Sequence, residues 1–420
     1  MRIALLTYRG HRHVGGQGVY VRHLARALTA LGHHVEVISG PPYPDIEPES
    51  TLTKLPSLDI WAEPHPMRKP RLSEWKDWTD AAEHLSFNLG TFSEPMAFSW
   101  RAWRHLRNRR HEFDIIHDNQ TLGWGLLALQ RGGWPILGTI HHPITVDRRL
   151  ELAHARTWWE RYGKRRWYSF TKMQTQVARR LPHIVSVSES SKRDIVADHR
   201  VETDRVHVVP VGVDTETFRP LRDVASRPGH LVTTASADVA MKGLEFLLEA
   251  VAKLRAERPI ELTIIGKRRP DSAASRTMDR LGLNDCVNFV SGVSEQRIVE
   301  LYNEAELAVV PSLYEGFSLP AIEAMACQVA LVATTGGALP EVAGPHRETC
   351  FLTEPGDSDA LKSTIAEALD DPALRHRVAA AGRQRVIDRW SWRNTAEQTL
   401  ALYEKVLADP ATSSHTEAGS

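Results

Sequence analysis

Apolar residues occur along the chain in two alternating patterns. Short continuous runs appear in the first half at RIALLTY (2–8), HVEVIS (34–39), FDIIHD (113–118), PILGTIHH (135–142), HIVSVSES (183–190) and VHVVPVG (206–212). The second half carries HLVTTASAD (230–238), ELTIIG (261–266), VNFVSG (287–292), ELAVVPS (306–312), ALVATTGG (330–337) and CFLTE (350–354). Between these runs the apolar positions fall at helical spacing, as at Val21, Leu24, Leu28 and Leu31. Strands that are apolar throughout, alternating with helices, predict parallel sheets covered on both faces. Two sets of six predict two doubly wound α/β domains. The length, 420 residues, agrees, because one core rarely serves so long a chain. The prolines and charges of TETFRPLRDVASRPGH place a linker at 219–229, between an N-terminal domain over 1–218 and a C-terminal domain over 230–390. Residues 45–112, rich in proline and tryptophan, read as an irregular insertion with some helix. Residues 409–420 read as a disordered tail.

Doubly wound sheets bind ligands at the carboxyl ends of their strands. Polar and glycine residues follow the runs there: Gly15, Gly16 and Gly18; His117 and Asp118; His141 and His142; Ser188 and Glu189; Tyr314 to Ser318; Gly336 and Gly337. The first cluster, HVGGQGVY, suggests a dinucleotide loop, but Val21 stands where the third glycine belongs. HVEVIS also ends without an acid for a ribose. A ligand-free tight turn and a helix start that accepts a sugar or phosphate remain open at this point.

The stretch PSLYEGFSLPAIEAMA carries more information. Glu315 precedes a helix that Pro320 opens, and Glu323 lies about one turn into it. Two carboxylates so placed can grip two hydroxyl sets of one ligand, with a helix N-terminus between them for a phosphate. The alternative is a pair that only caps and solubilises a helix.

This stretch resembles the E-x7-E motif of retaining glycosyltransferase family 4, which has the GT-B fold: two Rossmann-like domains facing across a cleft. The resemblance extends over GGQGVY, TIHHP, SVSESSKRDI, VPVGVDTETF, MKGLEFLLEAV, TGGALPEVAG, EPGDSDAL and RWSWRNTAEQTLALYEKVL. It implies transfer of a sugar from a UDP- or GDP-sugar to a hydroxyl acceptor, which can be a lipid or an envelope glycan, with retention and without a metal ion. It implies that Glu323 holds the donor ribose. Glu315 would meet the sugar hydroxyls, and the backbone of Gly316, Phe317, Ser318 and Leu319 the sugar and diphosphate. Lys242 would neutralise the diphosphate, and His141 would sit at the reacting carbon. Gly16 would touch the donor phosphate, with Gly15, Gln17 and His142 on the acceptor side. A last helix, 391–408, would return to the first domain.

One departure stands out. The family pattern G-R-x-x-x-x-K-G is here SADVAMKG, with Ala237 in place of the arginine. A lost charged hydrogen bond to phosphate is worth about 1.5–3 kcal/mol. Lys267 or Arg268, directly after ELTIIG, is the expected substitute; a solvated basic loop is the alternative.

Lysine plus arginine and aspartate plus glutamate balance at 52 each, which argues against a nucleic-acid binder that relies on overall charge. Three scattered cysteines show no metal spacing and suit a reducing cytoplasm. The histidines lack a metal-ligand pattern as well, so no metal and no resident cofactor are expected. No leader or membrane span is expected either. Residues 156–181 are aromatic and basic, with Trp159, Tyr162, Phe170, Met173, Val177 and Leu181 in one helical stripe. Such a stripe either packs on its own domain and lines the acceptor side or lies on the anionic inner face of the cell membrane. Competing functions are a sugar-nucleotide epimerase of the same shape and a non-catalytic nucleotide-sugar binder; a dehydrogenase fits least.

Overall fold

The structure, a computed structural model, describes residues 1–10, 16–62, 67–155, 157–235, 239–270 and 272–410. It divides into two compact units: Met1–Val187 with Ser191–Val209 and Thr395–Ser420, and Ser188–Ser190 with Pro210–Asn394. Gly15 and Ala237 lie outside the described residues.

The first unit is built on a seven-stranded parallel sheet. Its strands are β1 (Arg2–Thr7), β2 (His34–Ser39), β3 (Thr51–Lys54), β4 (Ile115–Asn119), β5 (Ile136–Ile140), β6 (His183–Ser186) and β7 (Val206–Val208), in the order β3-β2-β1-β4-β5-β6-β7. The six apolar runs are all present. The seventh strand, TLTK, lies within the segment expected to be irregular, and it pairs with β2 from Glu36–Thr51 to Ser39–Lys54. Its own apolar signal is one leucine, so only the edge of an existing sheet defines it. The same segment contributes the helices Trp78–Asn88 and Glu94–Leu106. Phe98, Ala102 and Leu106 of the second are buried in the core with Leu126 and Leu129.

The second unit has a six-stranded parallel sheet of β8 (His230–Thr234), β9 (Glu261–Ile265), β10 (Val287–Val290), β11 (Leu307–Val310), β12 (Ala330–Thr334) and β13 (Phe351–Thr353). Their order is β10-β9-β8-β11-β12-β13. The helix Leu244–Arg255 buries Leu244, Leu247, Leu248, Val251 and Leu254, a stripe set by the helical period. Each such side chain contributes about 1.5–3 kcal/mol on burial.

In both sheets the chain winds one way from the first strand and then reverses. The reversals fall between β1 and β4 and between β8 and β11. Loops diverge at such a point, which leaves a crevice at the carboxyl ends. The final helix, Trp392–Ala408, joins the first unit from Thr395 onward. Its Tyr403 hydroxyl is 2.7 Å from Nδ1 of His117, whose Nε2 is 2.6 Å from the Thr139 hydroxyl. His117 and Asp118, expected just after the strand, are instead fully buried inside β4.

Candidate donor and acceptor sites

In the second unit the loops after β8 and β11 carry Lys242 and Glu315. Leu313 N–H donates to Met241 O at 2.7 Å, tying one loop to the other. Gly243 makes this approach possible: its φ is +61°, and a Cβ there would stand 2.0 Å from Pro311 O. Lys242 Nζ then donates to Glu315 Oε1 at 2.7 Å, and Ser312 Oγ donates to the same oxygen at 2.7 Å. Behind them the loop after β12 closes in, with Gly337 at φ +64° and Ala338 N–H on Glu315 O at 2.8 Å. Glu315 is nearly buried, while the Lys242 side chain stays partly exposed. An ammonium has three donors, so one can hold Glu315 while others meet a phosphate.

Ser318 precedes the helix Leu319–Ala326. It is not a glycine, yet its φ is +94°. It gives the helix no side-chain cap, and its buried hydroxyl has no hydrogen-bond partner among the described residues. The strained residue, the orphan hydroxyl and the uncapped helix start leave donors that an oxygen-rich group could use. Phe317 is buried against Trp390, with ring centres 5.5 Å apart, so its side chain is structural. Gly316 and Leu319 are partly exposed beside it.

Glu323, one turn into the helix, has different partners. Its Oε2 accepts from the buried Tyr302 hydroxyl at 3.5 Å, and that hydroxyl lies 3.0 Å from Thr234 Oγ1. Burial pushes the Glu323 carboxyl up to about 7; the charge of Glu295 adds to this and the Tyr302 hydrogen bond opposes it. Lys267 and Arg268 are both exposed at the end of β9. Arg268 turns to Asn284 Oδ1 at 3.1 Å, with Asp279 at 3.9 Å. Lys267 makes no hydrogen bond or ion pair among the described residues.

In the first unit, Gly16 opens the helix Gly16–Ala30 after β1, and His141 and His142 follow β5. His141 Nε2 lies 2.7 Å from Asn119 Oδ1. The Asn119 amide nitrogen points to Thr7 Oγ1 and Gln17 O, each at 3.4 Å. That network makes Nε2 the protonated nitrogen of His141 and leaves Nδ1 as an acceptor. Burial, helped by His142 and His117, drives the His141 pKa down to about 3, so the ring is neutral. The Gln120 carboxamide clamps the loop: Oε1 accepts from His141 N–H and Nε2 donates to His142 O, both at 2.9 Å. Gln120 and Leu122 have φ values of +58° and +48°, backbone strain of the kind that collects at functional loops. Tyr20 meets the His141 ring edge-on at 4.7 Å. His142 Nε2 lies 3.2 Å from both Asp147 oxygens.

Sequence reasoning did not single out Asn119, Gln120, Tyr20, Ser312, Tyr302 or Thr234. Asn119 directly follows the run FDIIHD, and Ser312 ends the run ELAVVPS, and a place at a strand's carboxyl end is the one signal that could have found them. Among the described residues no group of three or more His, Cys, Asp or Glu side chains could hold a metal ion.

Comparison with known proteins identifies the family. The family described as Glycosyltransferase Family 4 matches residues 14–217, and the family described as Glycosyl transferases group 1 matches residues 227–385. The MMP alpha-(1->4)-mannosyltransferase of Mycolicibacterium hassiacum is 49% identical, over 97% of this chain and 99% of its own. A D-inositol 3-phosphate glycosyltransferase of Mycolicibacterium smegmatis is 31% identical over 71% of this chain and 68% of its own. Among solved structures, sucrose-phosphate synthase from Thermosynechococcus elongatus superposes with a TM-score of 0.75 at 23% identity, covering 97% of this chain and 99% of its own. Anabaena HepE, in complex with UDP and glucose, superposes with a TM-score of 0.71 at 15% identity, covering 96% and 99%. With its two parallel-sheet units and a 49% identical relative matched over nearly its whole length, the chain belongs to glycosyltransferase family 4, of the GT-B type.

Proposed function

We propose that this glycosyltransferase moves mannose from a GDP- or UDP-linked donor to a hydroxyl of a glycan or glycolipid, with retention and without a divalent cation. The observation that carries this reading is the Lys242–Glu315–Ser312 cluster, which stands at the sheet's reversal point beside the uncapped helix start at Ser318. The name of the 49% identical relative supports mannose and an α-(1→4) linkage.

The residues divide the work by charge. As the glycosyl–phosphate bond breaks, negative charge grows on the leaving diphosphate. Lys242 and the helix N–H groups are set in advance to receive it. Glu315 accepts hydrogen bonds from sugar hydroxyls, and Glu323, once ionised, accepts them from the ribose. By the family resemblance, Gly16 is assigned to the donor phosphate and Gln17 and His142 to the acceptor. Neutral His141 presents Nδ1 to a sugar hydroxyl at the reacting centre. Lys267 is the exposed cation of the donor unit that replaces the arginine absent at position 237; Arg268, engaged by Asn284, is the weaker candidate. Retention is explained by same-face attack, with the leaving phosphate taking the acceptor's proton, so Glu315 is not a covalent nucleophile.

The test incubates the purified protein with GDP-mannose or UDP-mannose and 4-nitrophenyl α-mannoside in the presence of EDTA. The expected result is an α-linked disaccharide by NMR at early times from one donor, abolished in Glu315→Gln. An epimerised donor, or tight donor binding without turnover toward any acceptor or water, would replace this reading.

A further inference from the structure

The aromatic and basic stripe expected over 156–181 is not one surface. It divides into the helices Trp158–Trp167 and Thr171–Ala178, with a turn of tighter helix between them. Phe170, Met173, Val177 and Leu181 are buried in the core of the first unit. In contrast, Trp158, Trp159 and Tyr162 are each more than half exposed.

The 158–167 helix is itself two-faced. Its inner face carries Lys164, paired with Glu151, and Trp167, whose ring lies 5.5 Å from Trp61 and 5.4 Å from Phe92. Trp158, Tyr162 and Arg166 follow one another at four-residue spacing on the outer face, with Trp159 and Arg165 beside them. The helix has one acid, Glu160, held at its N-terminal cap, against Arg161, Lys164, Arg165 and Arg166. Arg161 and Arg165 make no ion pair among the described residues and are exposed. A second element extends this surface. Arg166 Nε donates to Leu89 O at 2.6 Å, which fastens the end of the 78–88 helix alongside. The outward residues of that helix and its cap, Trp78, Leu85 and Leu89, are also each more than half exposed. Six of the ten exposed large apolar side chains among the described residues therefore belong to these two elements.

We propose that this face docks the protein on an anionic lipid surface. The chemistry selects that occupant. Tryptophan and tyrosine rings favour the headgroup boundary, unpaired arginines attract anionic headgroups, and leucines enter the acyl edge. No helix among the described residues is long and apolar enough to cross a membrane, so the contact is peripheral. The ring contacts of Trp167 lead through Phe92 to Tyr8, directly after β1. Docking thus holds the acceptor edge of the first unit near the lipid. The proposal does not depend on the donor or the linkage.

The test is co-sedimentation of the full-length protein with phosphatidylcholine vesicles, with and without phosphatidylglycerol, at low and high salt. Binding is expected only with phosphatidylglycerol and is expected to weaken with salt. Arg161→Gln with Arg165→Gln should weaken it about 30-fold, at roughly a factor of five per arginine. Trp158→Ala with Trp159→Ala should abolish it, while nucleotide binding and circular dichroism stay as in the wild type. Three results would overturn the proposal: no sedimentation with anionic vesicles at low salt; binding unchanged in both double variants; or a dimer of the wild type that the tryptophan variant dissociates, which would assign the face to a second copy.

Discussion

Glu323→Gln should stabilise the free protein while weakening its hold on the donor. The carboxyl titrates near 7 in the folded chain, against an ordinary 4.5, because burial and Glu295 disfavour its charge. The folded state therefore binds the proton more tightly than the unfolded state, and stability is lost as pH rises from about 4.5 through about 7. Integrated over that window, the loss is about 1 kcal/mol at pH 5 and about 3 kcal/mol at pH 8. Glutamine carries no charge at either pH and escapes it. The melting of the donor-side unit should rise by about 2 °C at pH 5 and by about 6–10 °C at pH 8. Donor affinity should move the other way. Losing one charged acceptor of ribose hydroxyls costs about 1.5–3 kcal/mol, or about 10- to 100-fold in Kd. Calorimetric melts at both pH values, with titration of the nucleotide sugar at pH 8, read the two effects separately. Equal melting of variant and wild type at pH 8 would show that the carboxylate is not desolvated. A stability gain with unchanged affinity would remove Glu323 from the donor site.

Gly243→Ala places a methyl 2.0 Å from Pro311 O at a left-handed φ; it should cost about 1–3 kcal/mol in denaturant unfolding and weaken donor binding by displacing Lys242. Asn119→Ala removes the acceptor that fixes the His141 ring; kcat should fall at least tenfold while donor Kd stays unchanged, and an unchanged kcat would detach His141 from the chemistry. Because His141 stays neutral above about pH 3, the pH–rate profile should contain no inflection near 6.5 that Asn119→Ala shifts. Tyr403→Phe leaves one buried nitrogen of His117 without its partner; urea unfolding should show a loss of about 1–3 kcal/mol, with activity of the folded fraction retained.

Much of this protein is written locally. Continuous apolar runs specify buried parallel strands because a strand covered on both faces has no polar side to show, and all twelve runs appear as strands. Proline punctuation places Pro320 in the first turn of its helix by backbone geometry alone. The E-x7-E spacing is equally local, since a loop and one helical turn set it. What the chain does not spell out depends on partners distant in sequence. TLTK becomes a strand only because β2 offers an open edge. Lys242 reaches Glu315 only because β8 and β11 lie side by side where the sheet reverses. Tyr302 reaches Glu323 between two separate helices, and Asn119 reaches His141 between neighbouring strands. The 156–181 stripe follows the same rule: one periodicity runs through it, yet Met173 and Val177 find a core to fill while Trp159 and Tyr162 do not. Burial is a property of the neighbours that arrive, and those neighbours are brought by the fold.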